Sequence, residues 1–237
     1  MKIEEILVRV QLKEDIYYQE VNEKIAKLSQ LALHKSEKMK KSHYDRTAKL
    51  YTFSTLLPTE RDGFYKSGQE YFFKVRTLLK EVKKLFLYSN EGLSIGSMFI
   101  TGTELRRTEI DSIDKIIVKS GVLYNVSKKD YLTRDNGSIA YADALHRNIL
   151  KKEKTYKLGL NEIESAEELG GRPNFIKDII FREKKSQILY KGVRLVAEKF
   201  TLIVKQDEVS QWLAYVAIMT GLGQKNSSMG AGFVDFY

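Results

Sequence analysis

The strongest constraint on the fold is a hydrophobic period that changes repeatedly along the chain. Between Ile3 and Leu12 the apolar residues Ile6, Val8, Val10 and Leu12 alternate with others. A period of two predicts a strand with one buried face. From about Tyr17 to Leu33 the apolar positions Val21, Ile25, Leu28, Leu31 and Ala32 fall three and four apart, mostly on one helical stripe. After a polar, basic stretch, "LYTFSTLLP" reads as a strand ended by Pro58. "GFYKSGQEYFFKVRTLL" reads as a third strand, carrying Tyr65, Tyr71, Phe72 and Phe73 together. "KEVKKLFLYSNEG" is a short helix stopped by glycine, and "LSIGSMFITGTELRRTEI" is a strand. The order is β-α-β-β-α-β.

The second half repeats this order. "DKIIVKSGVLYNV" predicts a strand and "SIAYADALHRNILKKEKTY" a helix with Ala140, Ala144, Leu145 and Ile149 along one side. "NFIKDIIFRE" and "ILYKGVRLVAEKFTLIV" supply strands, the latter turning near Lys191–Gly192. "DEVSQWLAYVAIMTG" is a helix with Asp207 as its N-cap, and "GAGFVDFY" closes as a strand. Two β-α-β-β-α-β runs predict an α+β chain of two tandem ferredoxin-like (RRM-like) domains, residues 1–110 and 111–237. No low-complexity linker separates them, so a rigid pairing is expected.

Composition narrows the function. Forty Lys and Arg residues against 31 Asp and Glu give a formal charge of +9 in 237 residues. An excess of this kind favours a polyanion, nucleic acid before an anionic membrane. The chain has no cysteine, which removes disulfides, thiolate metal sites and a cysteine nucleophile. That fits a cytoplasmic protein. Its three histidines, His34, His43 and His146, lack the spacing of a metal motif, so neither metal nor cofactor is expected. No apolar run of about 18 residues exists, and no membrane span or signal segment is expected.

The most unusual stretch is "TGLGQKNSSMGAGFVDFY". Gly221, Gly223, Gly230 and Gly232 bracket Gln224, Lys225, Asn226, Ser227 and Ser228. Glycine permits positive φ and close approach to the backbone, and such a loop can turn N–H groups toward an anion. Lys225 adds charge; the amides and hydroxyls add donors. Neither the P-loop spacing nor the dinucleotide fingerprint is present. A surface loop holding phosphate is the expectation, and basic residues recurring along the chain extend it to a phosphate backbone, RNA above all.

Two ferredoxin-like halves ending in "GLGQKNSSMGAGF", with "KLYTFSTLL" after the first helix, resemble the CRISPR-associated precursor-RNA-processing endoribonucleases of the RAMP superfamily. The resemblance covers the whole chain in element order; its specific motif is the glycine loop before the last strand. It implies binding of CRISPR repeat RNA (precursor crRNA). It also implies metal-independent cleavage to 2′,3′-cyclic phosphate and 5′-hydroxyl ends. Assembly with other CRISPR effector subunits, or with a second copy of the chain, stays open. So does the alternative of a non-catalytic RAMP-type subunit that holds guide RNA. A third reading, a basic structural protein whose loop is a mere turn, predicts no RNA binding.

Cleavage of this kind needs a base for the 2′-hydroxyl, a cation for the phosphorane and an acid for the leaving oxygen. The family's catalytic histidine lies near or just after the end of the first helix, often with a lysine a short way on. His43 and Lys49 match that pattern, with Tyr44 and Arg46 close by, and His34 is the rival histidine. The stretch "NEKIAKLSQLALHK" lacks the tyrosine the family often places inside the first helix. His146 reads as a helix-surface residue. Arg106 and Arg107, near the end of a strand, are candidates to grip phosphate.

Overall fold

A computed structural model describes residues 1–44, 48–88, 90, 92–125, 130–160, 162, 171–190 and 192–237; the side chains of 42–44 lie outside that description. The first half runs β1 (Lys2–Leu12), β2 (Ile16–Tyr17), α1 (Tyr18–Leu33), α2 (Glu37–Tyr44), β3 (Tyr51–Phe53), β4 (Phe64–Tyr65), β5 (Glu70–Thr77), α3 (Lys80–Tyr88), β6 (Ser94–Ile95) and β7 (Met98–Glu109). The second runs β8 (Lys115–Val118), a 3₁₀ turn at Arg134–Asn136, α4 (Ser138–Gly159), β9 (Ile176–Phe181), β10 (Ser186–Tyr190), β11 (Val193–Ala197), β12 (Phe200–Val204), α5 (Glu208–Thr220), α6 (Asn226–Met229) and β13 (Val234–Phe236).

The first sheet has the order β3-β5-β1-β7-β6 and the second β13-β8-β12-β9, every pairing antiparallel. With the short edge strand β6 set aside, each sheet has the ferredoxin-like arrangement, its first and third strands side by side at the centre. The periods explain it. Ile6, Val8, Val10 and Leu12 of β1 are buried against Val21, Ile25, Leu28 and Ala32 of α1 in one core. A second core gathers Ile116, Val118, Phe200, Leu202 and Val234 from the second sheet with Leu145, Ile149, Leu213 and Ala217 from α4 and α5. The Asp207 carboxylate caps α5, accepting from the Ser210 N–H at 3.0 Å and its hydroxyl at 2.7 Å.

Several predicted strands are shorter or divided. Tyr65 lies on β4, which pairs with β2, whereas Tyr71, Phe72 and Phe73 lie on β5. A turn through Gly68, at φ 75°, separates them. The strand expected from Asp114 stops at Val118, because Gly121 turns the chain at φ 74°. The stretch around Gly192 is a hairpin of β10 and β11, inserted before β12 and outside the four-stranded sheet. Part of the polar stretch after α1 is the helix α2.

Arg76 joins the halves. It is 2% exposed, donates from Nε to Glu5 at 2.8 Å and from Nη1 to the Val234 carbonyl at 2.6 Å. Its guanidinium lies 4.6 Å from the Phe233 ring centroid. β5 is thereby tied to β13 by a charge-assisted hydrogen bond and a cation–π contact. Among the described residues, no helix is long and apolar enough to cross a membrane.

Candidate nucleic-acid interface

The glycine loop is built into the protein interior, not laid over its surface. Gly221, Gly223, Gly230 and Gly232 are buried and all have positive φ, from 63° to 78°. The space where each Cβ would stand is already taken by protein. At Gly221 it would meet Asn226 Nδ2 at 2.7 Å and Thr52 Oγ1 at 2.8 Å; at Gly223 the Leu123 carbonyl at 2.6 Å; at Gly230 the Phe53 ring at 2.7 Å. At Gly232 it would overlap the Leu222 carbonyl oxygen. These glycines let the loop pack on β3 and on the segment after β8. The expectation of an exposed loop whose glycines leave room for a ligand is therefore corrected.

What the loop presents outward is its centre. Asn226 is buried and donates from Nδ2 to the Leu222 and Ala231 carbonyls at 2.8 and 2.7 Å, closing the loop on itself. Lys225 is exposed at φ 63°; among the described residues it is the one non-glycine with positive φ. A lysine in that region is held at a cost of about 1–2 kcal/mol, a pattern that concentrates at functional positions. Its Nζ stands 5.9 Å from the Tyr190 ring of β10. Gln224, Ser227 and Ser228 are half-buried.

Two adjoining cavities open around this centre. The larger, about 590 Å³, is walled by Lys225, Gln224, Ser227 and Ser228 from the loop, by Lys49, and by Arg147, Lys151 and Lys152 of α4. Five basic side chains line it, Lys49, Arg147, Lys151, Lys152 and Lys225, and among the described residues no carboxylate does. The smaller, about 310 Å³, lies between α1, α2 and the start of β3 and contains His34. Ala48, Lys49, Ser227 and Ser228 belong to both. The structure thus brings His34 and Lys49 together beside the loop. His34 caps α1, its backbone N–H donating to the Gln30 carbonyl.

The remaining predicted residues fall elsewhere. The backbones of His43 and Tyr44 belong to α2, and their side chains, like the whole of Arg46, lie outside the described residues. Arg106 and Arg107 line neither cavity. Arg106 donates to Glu104 at 3.0 Å and Arg107 to Glu4 at 3.1 Å, both exposed on β7. His146 is buried, not on the helix surface: its Nε2 is 3.2 Å from the Arg172 carbonyl, and burial holds its imidazole below the ordinary value. Among the described residues no three His, Asp or Glu side chains cluster as metal ligands.

In the sequence Lys151 and Lys152 are two among many recurring basic residues and are not among the candidate site residues. Arg147 and Lys151 are four apart and share an exposed face. Lys152 falls on the apolar stripe after Leu145 and Ile149, and that misfit is the signal. It is buried, and its Nζ donates to the Gly221 carbonyl at 2.6 Å, Asn226 Oδ1 at 2.8 Å and the Thr220 carbonyl at 3.3 Å. Among the described residues no carboxylate pairs with it, and burial pushes its ammonium down to about 7. The basic side chains of Lys49, Arg147, Lys151 and Lys225 around the cavity make the site electropositive and suited to an anion, while Lys152 ties α4 to the loop.

The search of solved structures returns matches over essentially the full length. One is described as CRISPR associated protein Cas6, with TM-score 0.69, 15% identity and 100% of both chains covered. Another, described as an RAMP protein binding different RNA substrates, has TM-score 0.66, 12% identity and 99% coverage of both. The chain has the Cas6 and RAMP fold. A Cas6-related protein from Pyrococcus furiosus gives TM-score 0.64 at 14% identity, covering 100% of this chain and 99% of that one. No family model matches the sequence, and no curated protein matches it. Within this Cas6-type fold the two cavities lie between elements of both halves: α1, α2 and β3 from the first, α4 and the glycine loop from the second.

Proposed function

We propose that this chain is a two-domain endoribonuclease, divided at residues 1–110 and 111–237. It cuts CRISPR repeat RNA to mature guide RNAs without a metal ion, giving 2′,3′-cyclic phosphate and 5′-hydroxyl ends. The observation that carries the reading is Lys49, which belongs both to the basic cavity and to the cavity of His34. A phosphate drawn into the basic cavity comes beside a cation and an imidazole. Imidazole suits proton transfer near neutral pH, and a lysine steadies charge developing on a phosphorane.

In the proposed reaction a histidine, His34 or His43, removes the proton from the 2′-hydroxyl. The resulting oxygen attacks the adjacent phosphorus, and the bond to the 5′-oxygen breaks. A proton returned to that oxygen yields the 5′-hydroxyl, and Lys49 stabilises the phosphorane between these steps. Lys225, Lys151 and Arg147 hold the flanking phosphates.

The test is a labelled repeat RNA incubated with the protein in EDTA. A single cut is expected, lost when the 2′-hydroxyl upstream of it is replaced by hydrogen. Lys49→Ala and one of His34→Ala or His43→Ala should slow cleavage by ~10²-fold while binding persists. RNA bound but never cut would identify a guide-RNA-holding RAMP subunit, and cutting of the deoxy substrate would overturn the mechanism.

A further inference from the structure

The smaller cavity differs in chemistry from its neighbour. Its floor is apolar: Leu33, Leu50, Tyr51 and Val82 are all buried, and Leu79 is half-buried at one side. Burial pushes the Tyr51 phenol up to about 12, so it stays a neutral ring, donating to the Ser227 carbonyl at 3.5 Å. The other lining is polar: Gln30, His34, Lys49, Ser227, Ser228 and Thr155, whose hydroxyl donates to the Lys151 carbonyl at 2.9 Å. A phosphate gains nothing on such a floor. A flat, largely apolar ring with a few edge donors and acceptors does.

The shared wall decides what that ring is attached to. Ala48, Lys49, Ser227 and Ser228 line both the apolar slot and the neighbouring cavity, which among the described residues holds five basic side chains and no carboxylate. One ligand filling both would carry a planar apolar part joined through a short link to an anion. An apolar peptide side chain would place no negative charge in the basic cavity. A nucleotide supplies both parts.

We infer that the slot receives one unstacked nucleobase of an RNA strand whose adjoining phosphate lies in the basic cavity. The inference rests on the RNA reading and adds a base-selective position to it. A base leaving its stack for a protein surface is a recurrent mode of single-strand RNA recognition. Selectivity among bases then comes from polar lining groups such as Gln30 and Thr155, and not from the lysines.

The probes are the four nucleoside 3′-monophosphates and the four 5′-monophosphates, with inorganic phosphate as reference, titrated by calorimetry or NMR. At least one nucleotide should bind about tenfold tighter than phosphate, with an order that depends on the base. Leu79→Trp and Gln30→Trp each fill the slot from a half-buried position that lines only the smaller cavity. Either folded variant should lower nucleotide affinity to that of phosphate and leave phosphate binding unchanged. If no nucleotide exceeds phosphate, or both filled variants keep the advantage, the inference is overturned. Intact RNA run in parallel separates the two claims. RNA bound without any base advantage removes the slot alone, whereas RNA that fails to bind removes the RNA reading and the slot with it.

Discussion

Replacing Gly232 with alanine tests the finding that the glycine loop is a packing device. Two costs add at this position. Its φ is 70°, and an L-residue held there loses about 1–2 kcal/mol. Its new Cβ would also overlap the Leu222 carbonyl and come within 2.8 Å of Asn226 Nδ2. Relieving that overlap moves the crossing of residues 222 and 232. There the Leu222 N–H donates to the Gly232 carbonyl at 2.9 Å and the Gly232 N–H donates to the Gly121 carbonyl at 2.7 Å. Weakening both bonds adds about 2 kcal/mol, so the total is about 3–4 kcal/mol. Gly68→Ala is the internal control: its φ is 75°, nothing lies within 4 Å of its Cβ position, and only the conformational cost applies. Urea denaturation should place Gly232→Ala about 2 kcal/mol below Gly68→Ala, and thermal melting should show the same order. Equal stability of the two variants would refute the packing argument and restore an open, ligand-facing loop.

Two further outcomes follow from the same geometry. Lys225→Ala, read with uncut RNA, should weaken binding and reduce the log–log salt slope by ~0.7, the share of one phosphate contact on a single strand; an unchanged slope would mean that this exposed lysine touches no phosphate. His146 has its folded value lowered by burial from the ordinary 6.5, so the unfolded chain binds the extra proton first. Its contribution to stability is complete above about pH 6.5 and is lost as pH falls toward the lowered value. His146→Leu should flatten the loss of denaturation midpoint between pH 7 and 5, and a parallel profile would assign that loss to other groups.

The fold was largely legible because it rests on local periodicity. The β1 alternation and the α1 stripe each specify a buried face without reference to anything distant, and Asp207 caps α5 through a partner three residues away. Errors arose where a local pattern was cut by a conformation. Gly68 and Gly121 end strands whose flanking residues would otherwise continue them, and nothing in the apolar pattern marks a glycine as a break and not a tolerated gap. The β10–β11 hairpin was missed as an insertion for a related reason: its residues have strand periodicity, and only sheet order shows that they pair outside the four-stranded sheet.

The site was half legible, and the missing half is non-local. The loop's glycines are visible in the sequence, but the atoms that forbid a Cβ at each of them are not. Those atoms belong to Thr52, Phe53, Val122 and Leu123, more than 90 residues away, as well as to the loop itself. A glycine that makes room for a ligand and a glycine that makes room for the protein leave the same trace in a sequence. The difference governs what the lysines can do. A mobile loop would give Lys225 no fixed position, whereas a loop locked by Asn226, Lys152 and four buried glycines holds its backbone at the wall of the cavity that Lys49 and Lys151 also line. Ordering long charged side chains costs about 0.5–1.5 kcal/mol each on binding. Fixing the backbone beneath them in advance lowers the part of that cost due to the loop. The buried lysine of α4, hydrogen-bonded to the Gly221 carbonyl and Asn226 Oδ1, thus connects the helical layer of the second half to the loop that presents Lys225.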